Sequence, residues 1–190
     1  MGPDRISTPP SVLLFLLLLA PACDPAPPPP PSPPLPNPQT LAGQIVAAHN
    51  RVRAAVDPAA VPPLPSLEWS EDLAQIARQW AAQCRFAHNP QLEDRQLGEN
   101  LAAFTDVTGT IEKAVGGWAA EASDYDLAHN RCAPGAVCGH YTQLVWRDTR
   151  QVGCAVVDCD RNSPFPNFPR WQLWVCDYSP PGNWVGERPY

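Results

Sequence analysis

Two imidazoles and two carboxylates carry the chemistry that can be read along this 190-residue chain. They are His88, Glu99, Glu121 and His140, within Cys84-Arg85-Phe86-Ala87-His88, Gly98-Glu99-Asn100-Leu101-Ala102, Trp118-Ala119-Ala120-Glu121 and Gly139-His140-Tyr141-Thr142-Gln143. Three uses fit this set. As a metal site, the neutral imidazoles would take Zn²⁺ and the glutamates would ligate or orient them, leaving open positions for water. As a catalytic site, Glu99 or Glu121 would act as base toward metal-bound water, although no nucleophile with an activating motif accompanies them. As a structural element, the four would form a buried His–Glu hydrogen-bond network that needs no metal. Tyr141 and Gln143 are candidates to line the same cavity, or to pack the core. His49 lies in a helical segment where packing and hydrogen bonding account for it, and His129 reads as solvent-facing.

Several elements must position these groups. Thr40 is a helix N-cap, and Leu41, Ile45, Val46, His49 and Val52 follow at helical spacing, so a helix is expected over 41–55. Ser70 caps a second, with Glu71 and Asp72 in its first turn and a stripe of Leu73, Ile76, Ala77, Trp80 and Cys84. The chain then reads as a loop to Gly98. Thr110 starts a third helix whose inner face is Ile111, Ala114, Val115, Trp118 and Glu121. A carboxylate on that stripe requires a partner, because an isolated buried charge is very costly. His140 to Trp146 reads as a short helix. Segments 151–157 and 171–178 are rich in β-branched and aromatic residues and read as strands, joined through the proline-containing stretch 161–170. Helices early and strands late imply an α+β fold with an antiparallel sheet.

The N-terminal part has a different character. Residues 1–22 read as a secretory signal, with an apolar run from Val12 to Leu19 and a small-residue cleavage region at Ala20-Pro21-Ala22. The run is too short to span a bilayer as a mature helix, which needs about 20 residues. Leu19-Ala20-Pro21-Ala22-Cys23 would serve a bacterium as a lipobox, with Ala20 departing from the usual leucine, so Cys23 is a candidate lipid anchor. Residues 23–39 form a proline-rich linker, extended and semi-rigid by composition. The remainder, 40–190, suits one domain. A net charge of −6 and the lack of a basic cluster argue against nucleic acid and against membrane damage driven by positive charge.

Beyond the linker stand Cys84, Cys132, Cys138, Cys154, Cys159 and Cys176. An even number in a secreted context implies a three-disulfide framework, and the absence of any C-x-x-C pair weighs against zinc-finger ligation. The residues alone leave 15 pairings open.

Gly139-His140-Tyr141-Thr142-Gln143-Leu144-Val145-Trp146-Arg147-Asp148-Thr149 resembles the first signature of the CAP superfamily, which groups cysteine-rich secretory proteins, insect venom antigens and plant pathogenesis-related class-one proteins. Leu173-Trp174-Val175-Cys176-Asp177-Tyr178-Ser179-Pro180-Pro181-Gly182-Asn183-Trp184 resembles the second. It departs at Asp177, where a polar or basic residue, often asparagine, is usual. His49-Asn50-Arg51-Val52-Arg53, Leu67-Glu68-Trp69 and Gly98-Glu99-Asn100-Leu101-Ala102 fit as well. The ending Gly186-Glu187-Arg188-Pro189-Tyr190 is most similar to the plant class.

The resemblance implies a three-layer α-β-α sandwich and the disulfides Cys84–Cys159, Cys132–Cys138 and Cys154–Cys176. It places His88, Glu99, Glu121 and His140 on the family's central-cavity tetrad. It further implies a secreted or surface-tethered protein of defence or host interaction, with a sterol or other lipid, or an extracellular or cell-wall protein, as partner, and with no cofactor required. A metal-dependent hydrolase using the tetrad is the alternative. The tail from Pro180 resembles a signalling peptide proposed to be released from plant members. Packing of that tail against the domain is the competing expectation.

Overall fold

The computed structural model describes Asn37 and residues 39–105 and 108–190. The signal, Cys23 and nearly all of the proline-rich linker lie outside the described residues. The three expected helix caps form. Thr40, Ser70 and Thr110 accept the backbone N–H of Gly43, Leu73 and Lys113 at 3.1, 3.3 and 3.3 Å. They start α1 (Leu41–Ala54), α2 (Glu71–Ala81) and α4 (Ile111–Ala120). The short helix α5 (Gly139–Leu144) follows the third of these.

The sheet has four strands in the order β1-β5-β6-β2. Strands β5 (Gln151–Cys159) and β6 (Trp171–Ser179) form the expected antiparallel pair, Cys154 opposite Cys176. The segment 98–105, given no strand by the sequence, is β2 (Gly98–Thr105), antiparallel to β6 along its whole length. β1 (Glu68–Trp69) adds a two-residue parallel edge to β5. The expected loop from Cys84 to Gly98 contains one helical turn, α3 (Leu92–Arg95). A separate two-stranded ladder joins β3 (Tyr125–Asp126) to β4 (Arg131–Cys132).

The period-two alternation of β6 divides the interior. Trp171, Leu173 and Val175 face α2, where they pack with Ala77, Trp80 and Ala81. Trp174, Cys176 and Tyr178 face the other layer and pack with Ile45, Val115, Trp118 and Leu144 from α1, α4 and α5. Helices therefore cover both faces of the sheet, giving three layers. The turn of α2 from Ser70 lies almost on the backbone of β5. A Cβ on Gly153 would meet Ala74 N at 2.2 Å and Ser70 O at 2.5 Å, so the contact depends on glycine. Ile76, expected in the α2 stripe, is only half-buried, and Ala74 takes the buried place.

Three disulfides close as the resemblance implied: Cys84–Cys159, Cys132–Cys138 and Cys154–Cys176. Their presence fits an oxidising compartment. No helix among the described residues is long and apolar enough to cross a membrane.

Candidate functional site

The tetrad resolves into two His–Glu pairs, both fixed at the first residues of edge strand β2. Glu99 projects to the α2 side of that strand, the side shared by Leu101. Its Oε1 lies 2.7 Å from His88 Nδ1 and accepts the Asn89 backbone N–H at 3.1 Å. The segment bearing His88 is tied down just before it, where Trp80 Nε1 donates to Ala87 O at 2.8 Å. The neighbouring residue, Asn100, serves the second pair: its Nδ2 donates to His140 O at 3.0 Å.

In that second pair Glu121 Oε1 is 2.5 Å from His140 Nδ1. Glu121 Oε2 accepts the backbone N–H groups of His140 and Tyr141 at 3.0 and 3.1 Å. These are first-turn amides of α5, which have no partner inside their own helix. Glu121 stands at the C-cap of α4, so one carboxylate joins two helices and fixes an imidazole. The His140 ring lies nearly parallel to Trp118, at 15° and 6.2 Å between centroids.

The two glutamates differ in access. The Glu99 side chain is 1% exposed while His88 is 64% exposed, and the values for Glu121 and His140 are 17% and 29%. The hydrogen bond that His88 donates to Glu99 pushes the His88 pKa up, against the opposing effect of burial.

In both histidines Nδ1 faces the carboxylate, so it carries the proton, and Nε2 makes no hydrogen bond among the described residues. This is how carboxylate-supported histidine ligands are prepared: the outer partner fixes tautomer and ring orientation and leaves the other nitrogen for an ion. By donor type, His88 and His140 each offer an imidazole nitrogen of the kind a borderline ion such as Zn²⁺ takes. The four side chains do not bring three ligand atoms within 4.8 Å of one another among the described residues. The one cluster that does, His49 with Cys154 and Cys176, has its sulfurs in a disulfide.

The remaining candidates sort by burial. Tyr141 is 5% exposed and lines a groove with Val52 of α1 and Val56 just beyond that helix. Gln143 is 1% exposed and tied internally. Its Nε2 donates to Thr149 Oγ1 at 3.2 Å and its Oε1 accepts Gly182 N–H at 2.9 Å. His49 is fully buried, packed between Trp118 and Tyr178. His129 is exposed and bonds Asp126. The C-terminal tail packs on the domain: Arg147 N–H donates to Pro189 O at 2.7 Å, and Asn130 Nδ2 to Glu187 O at 2.9 Å.

Three contributors escaped the sequence reading. Asn100 bonds the His140 backbone carbonyl, the Trp118 ring lies nearly parallel to the His140 imidazole, and Asp177 stands opposite Glu99. Asp177 did leave a signal, as a carboxylate inside an otherwise apolar strand.

A profile of the cysteine-rich secretory protein family, CAP, matches residues 46–178. The chain belongs to this family. Among relatives, the CAP chain is 43% identical over 149 residues to a pathogenesis-related protein of PR-1 type from Sambucus nigra, covering 76% of this chain and 79% of that one. It is 40% identical over 146 residues to peptidase inhibitor 16 of Homo sapiens, covering 77% of this chain but 31% of that protein. Its match spans 28–60% of the peptidase inhibitor 15 and 16 relatives. Among solved structures, the venom allergen-like protein 4 of Schistosoma mansoni superposes with a TM-score of 0.60 at 29% identity, covering 77% of this chain and 91% of that one.

Proposed function

We propose that this CAP protein works outside the cell as a binding protein whose His88 and His140 take a divalent metal ion through their Nε2 atoms, with zinc the best match. One observation carries the reading: both rings present the same free nitrogen while both Nδ1 atoms are engaged by carboxylates. Water would complete the coordination.

The hydrolase alternative needs a carboxylate free to accept a proton from water. Glu99 is 1% exposed, and Glu121 already accepts three N–H groups. Both glutamates therefore support binding better than turnover. Zinc titration by calorimetry tests the reading. The protein should show saturable binding that the His88→Ala/His140→Ala variant lacks, and the absence of binding in the parent would remove it. Peptide cleavage abolished by both Glu99→Gln and Glu121→Gln would instead establish the hydrolase.

A lipid or sterol would use another surface. A groove of about 290 Å³ lined by Val52, Ala55, Val56, Ala119, Ala122 and Tyr141 is mainly apolar, with Asp57 at its side. Fluorescent-sterol binding that fails to saturate would exclude this ligand. Secretion through residues 1–22 and tethering through Cys23 are tested by fractionation. Recovery in a detergent-soluble membrane fraction, lost on Cys23→Ser, is the outcome expected of an anchor, and recovery only in the medium is that of a free secreted protein or wall-directed partner.

A further inference from the structure

Asp177 of β6 stands directly opposite Glu99 of β2 on one side and Gly153 of β5 on the other. By strand alternation all three lie on the face covered by α2, since Val175 and Leu101 do. The Asp177 carboxyl is fully buried and neither oxygen has a hydrogen-bond partner. Glu99 Oε2 is likewise buried and unpartnered. Strand register sets the two carboxyls at directly opposed positions on the same covered face.

Two ionised carboxylates directly opposite one another repel, and a buried pair of this kind retains one proton. The donors decide which group keeps it. Glu99 Oε1 faces N–H groups from His88 and Asn89, which stabilise its charged form. Asp177 has none. A metal cation fits less well, because hard cations require six or more oxygens, and the backbone of α2 closes over Gly153 beside the pair.

We propose that Asp177 is a neutral carboxylic acid that donates its proton to Glu99 Oε2, and that through this bond it positions Glu99 to hold His88. The result is a chain Asp177–Glu99–His88 running from the interior to the exposed Nε2. What His88 then does with that nitrogen rests on the metal-binding reading above, whereas the acid pair itself does not.

The surroundings agree. From β2 Asp177 faces Glu99, from the preceding segment His88 lies beyond Glu99, and Arg95 at the end of α3 contributes an opposing charge. The buried face of α2 offers Leu73, Ala74, Ala77, Trp80 and Ala81, none titratable. Tyr178 lies on the other face of the sheet. Burial and the Glu99 charge hold the Asp177 pKa up to about 8.

Infrared difference spectroscopy of the full, disulfide-bonded protein reads the acid directly. A carboxylic C=O band is expected at pH 6, is lost by pH 10, and is absent from Asp177→Asn. A parent protein without the band, or an Asp177→Asn protein that keeps it, overturns the proposal. The positioning role is read from NMR contacts (NOEs) between the His88 ring and the Glu99 side-chain methylenes at pH 6. Asp177→Asn still donates to Glu99 and should keep them. Asp177→Leu removes the donor, frees the Glu99 carboxylate to turn, and should weaken them. Unchanged contacts in Asp177→Leu overturn the positioning role, and if the leucine variant does not fold the infrared comparison still decides. Zinc titration of the parent separates the two readings: an acid band without zinc binding retains this proposal alone, and zinc binding without the band retains only the metal site.

Discussion

His49 offers a quantitative test of how the interior treats charge. Its Nδ1 lies 2.8 Å from Ile45 O, an atom that can only accept, so Nδ1 carries the hydrogen. Nε2 is then the acceptor for the Tyr178 hydroxyl at 2.9 Å. Protonating Nε2 would place a charge in a fully buried site, four residues from Arg53. Burial accordingly lowers the His49 pKa from 6.5 to about 4. The folded state thus binds fewer protons than the unfolded state between those values. The stabilisation is complete above pH 6.5 and is lost as pH falls toward 4. A difference of 2.5 units (6.5 − 4), at 1.36 kcal/mol per unit, is worth about 3 kcal/mol.

His49→Leu removes the titration. At pH 7 the variant should be less stable by about 1–3 kcal/mol, because the buried Tyr178 hydroxyl loses its acceptor. At pH 4 the gap should close by about 3 kcal/mol, leaving the variant as stable as the parent or more so. Urea unfolding of both proteins at pH 4, 5, 6 and 7, without reductant, measures the difference, and other titrating groups cancel in it. A difference that stays constant with pH would mean that His49 has the same charge behaviour folded and unfolded, and the argument from its burial and tautomer would fail.

Gly153→Ala should cost about 3 kcal/mol or more in the same assay, because backbone atoms of α2 occupy the space of the new methyl. Gly116→Ala in α4 meets nothing within 4 Å and should stabilise by about 0.5–1 kcal/mol. Replacing Cys84 and Cys159 together by alanine opens a 75-residue separation and should cost about 4 kcal/mol, against about 2 for Cys132 and Cys138, six residues apart; equal losses would contradict loop entropy as the cause. Asn50→Asp should cost about 1–3 kcal/mol, since Asn50 both donates to Leu67 O and accepts from Leu67 N–H and aspartate can only accept.

The parts of the fold legible beforehand were those with local physical signals. Thr40, Ser70 and Thr110 announce helices because a side-chain oxygen capping a free N–H acts within three residues. β5 and β6 announce themselves through β-branched and aromatic content. Strand β2 did not, because Gly98-Glu99-Asn100-Leu101-Ala102-Ala103-Phe104-Thr105 has a single β-branched residue, at its very end, and little alternation. Its conformation comes from eight residues of register with β6, far away in sequence. The site shows the same division. The tetrad was readable as a set of residue types, but which histidine meets which glutamate depends on how α4, α5 and β2 pack. Asp177 appeared only as an odd residue in a strand, because its partner Glu99 is brought to it by strand register.

The central position of β6 has a consequence for biosynthesis. β5 and β2 do not pair with each other; β2 pairs only with β6, and β5 has β6 on one side and the two-residue β1 on the other. During synthesis both must wait with open edges until residues 171–179 emerge, and all three layers wait with them. A nascent chain therefore has no complete sheet to unfold while the ribosome is still working on the earlier segments. The Cys154–Cys176 disulfide is correspondingly late, because its second cysteine lies within β6 itself.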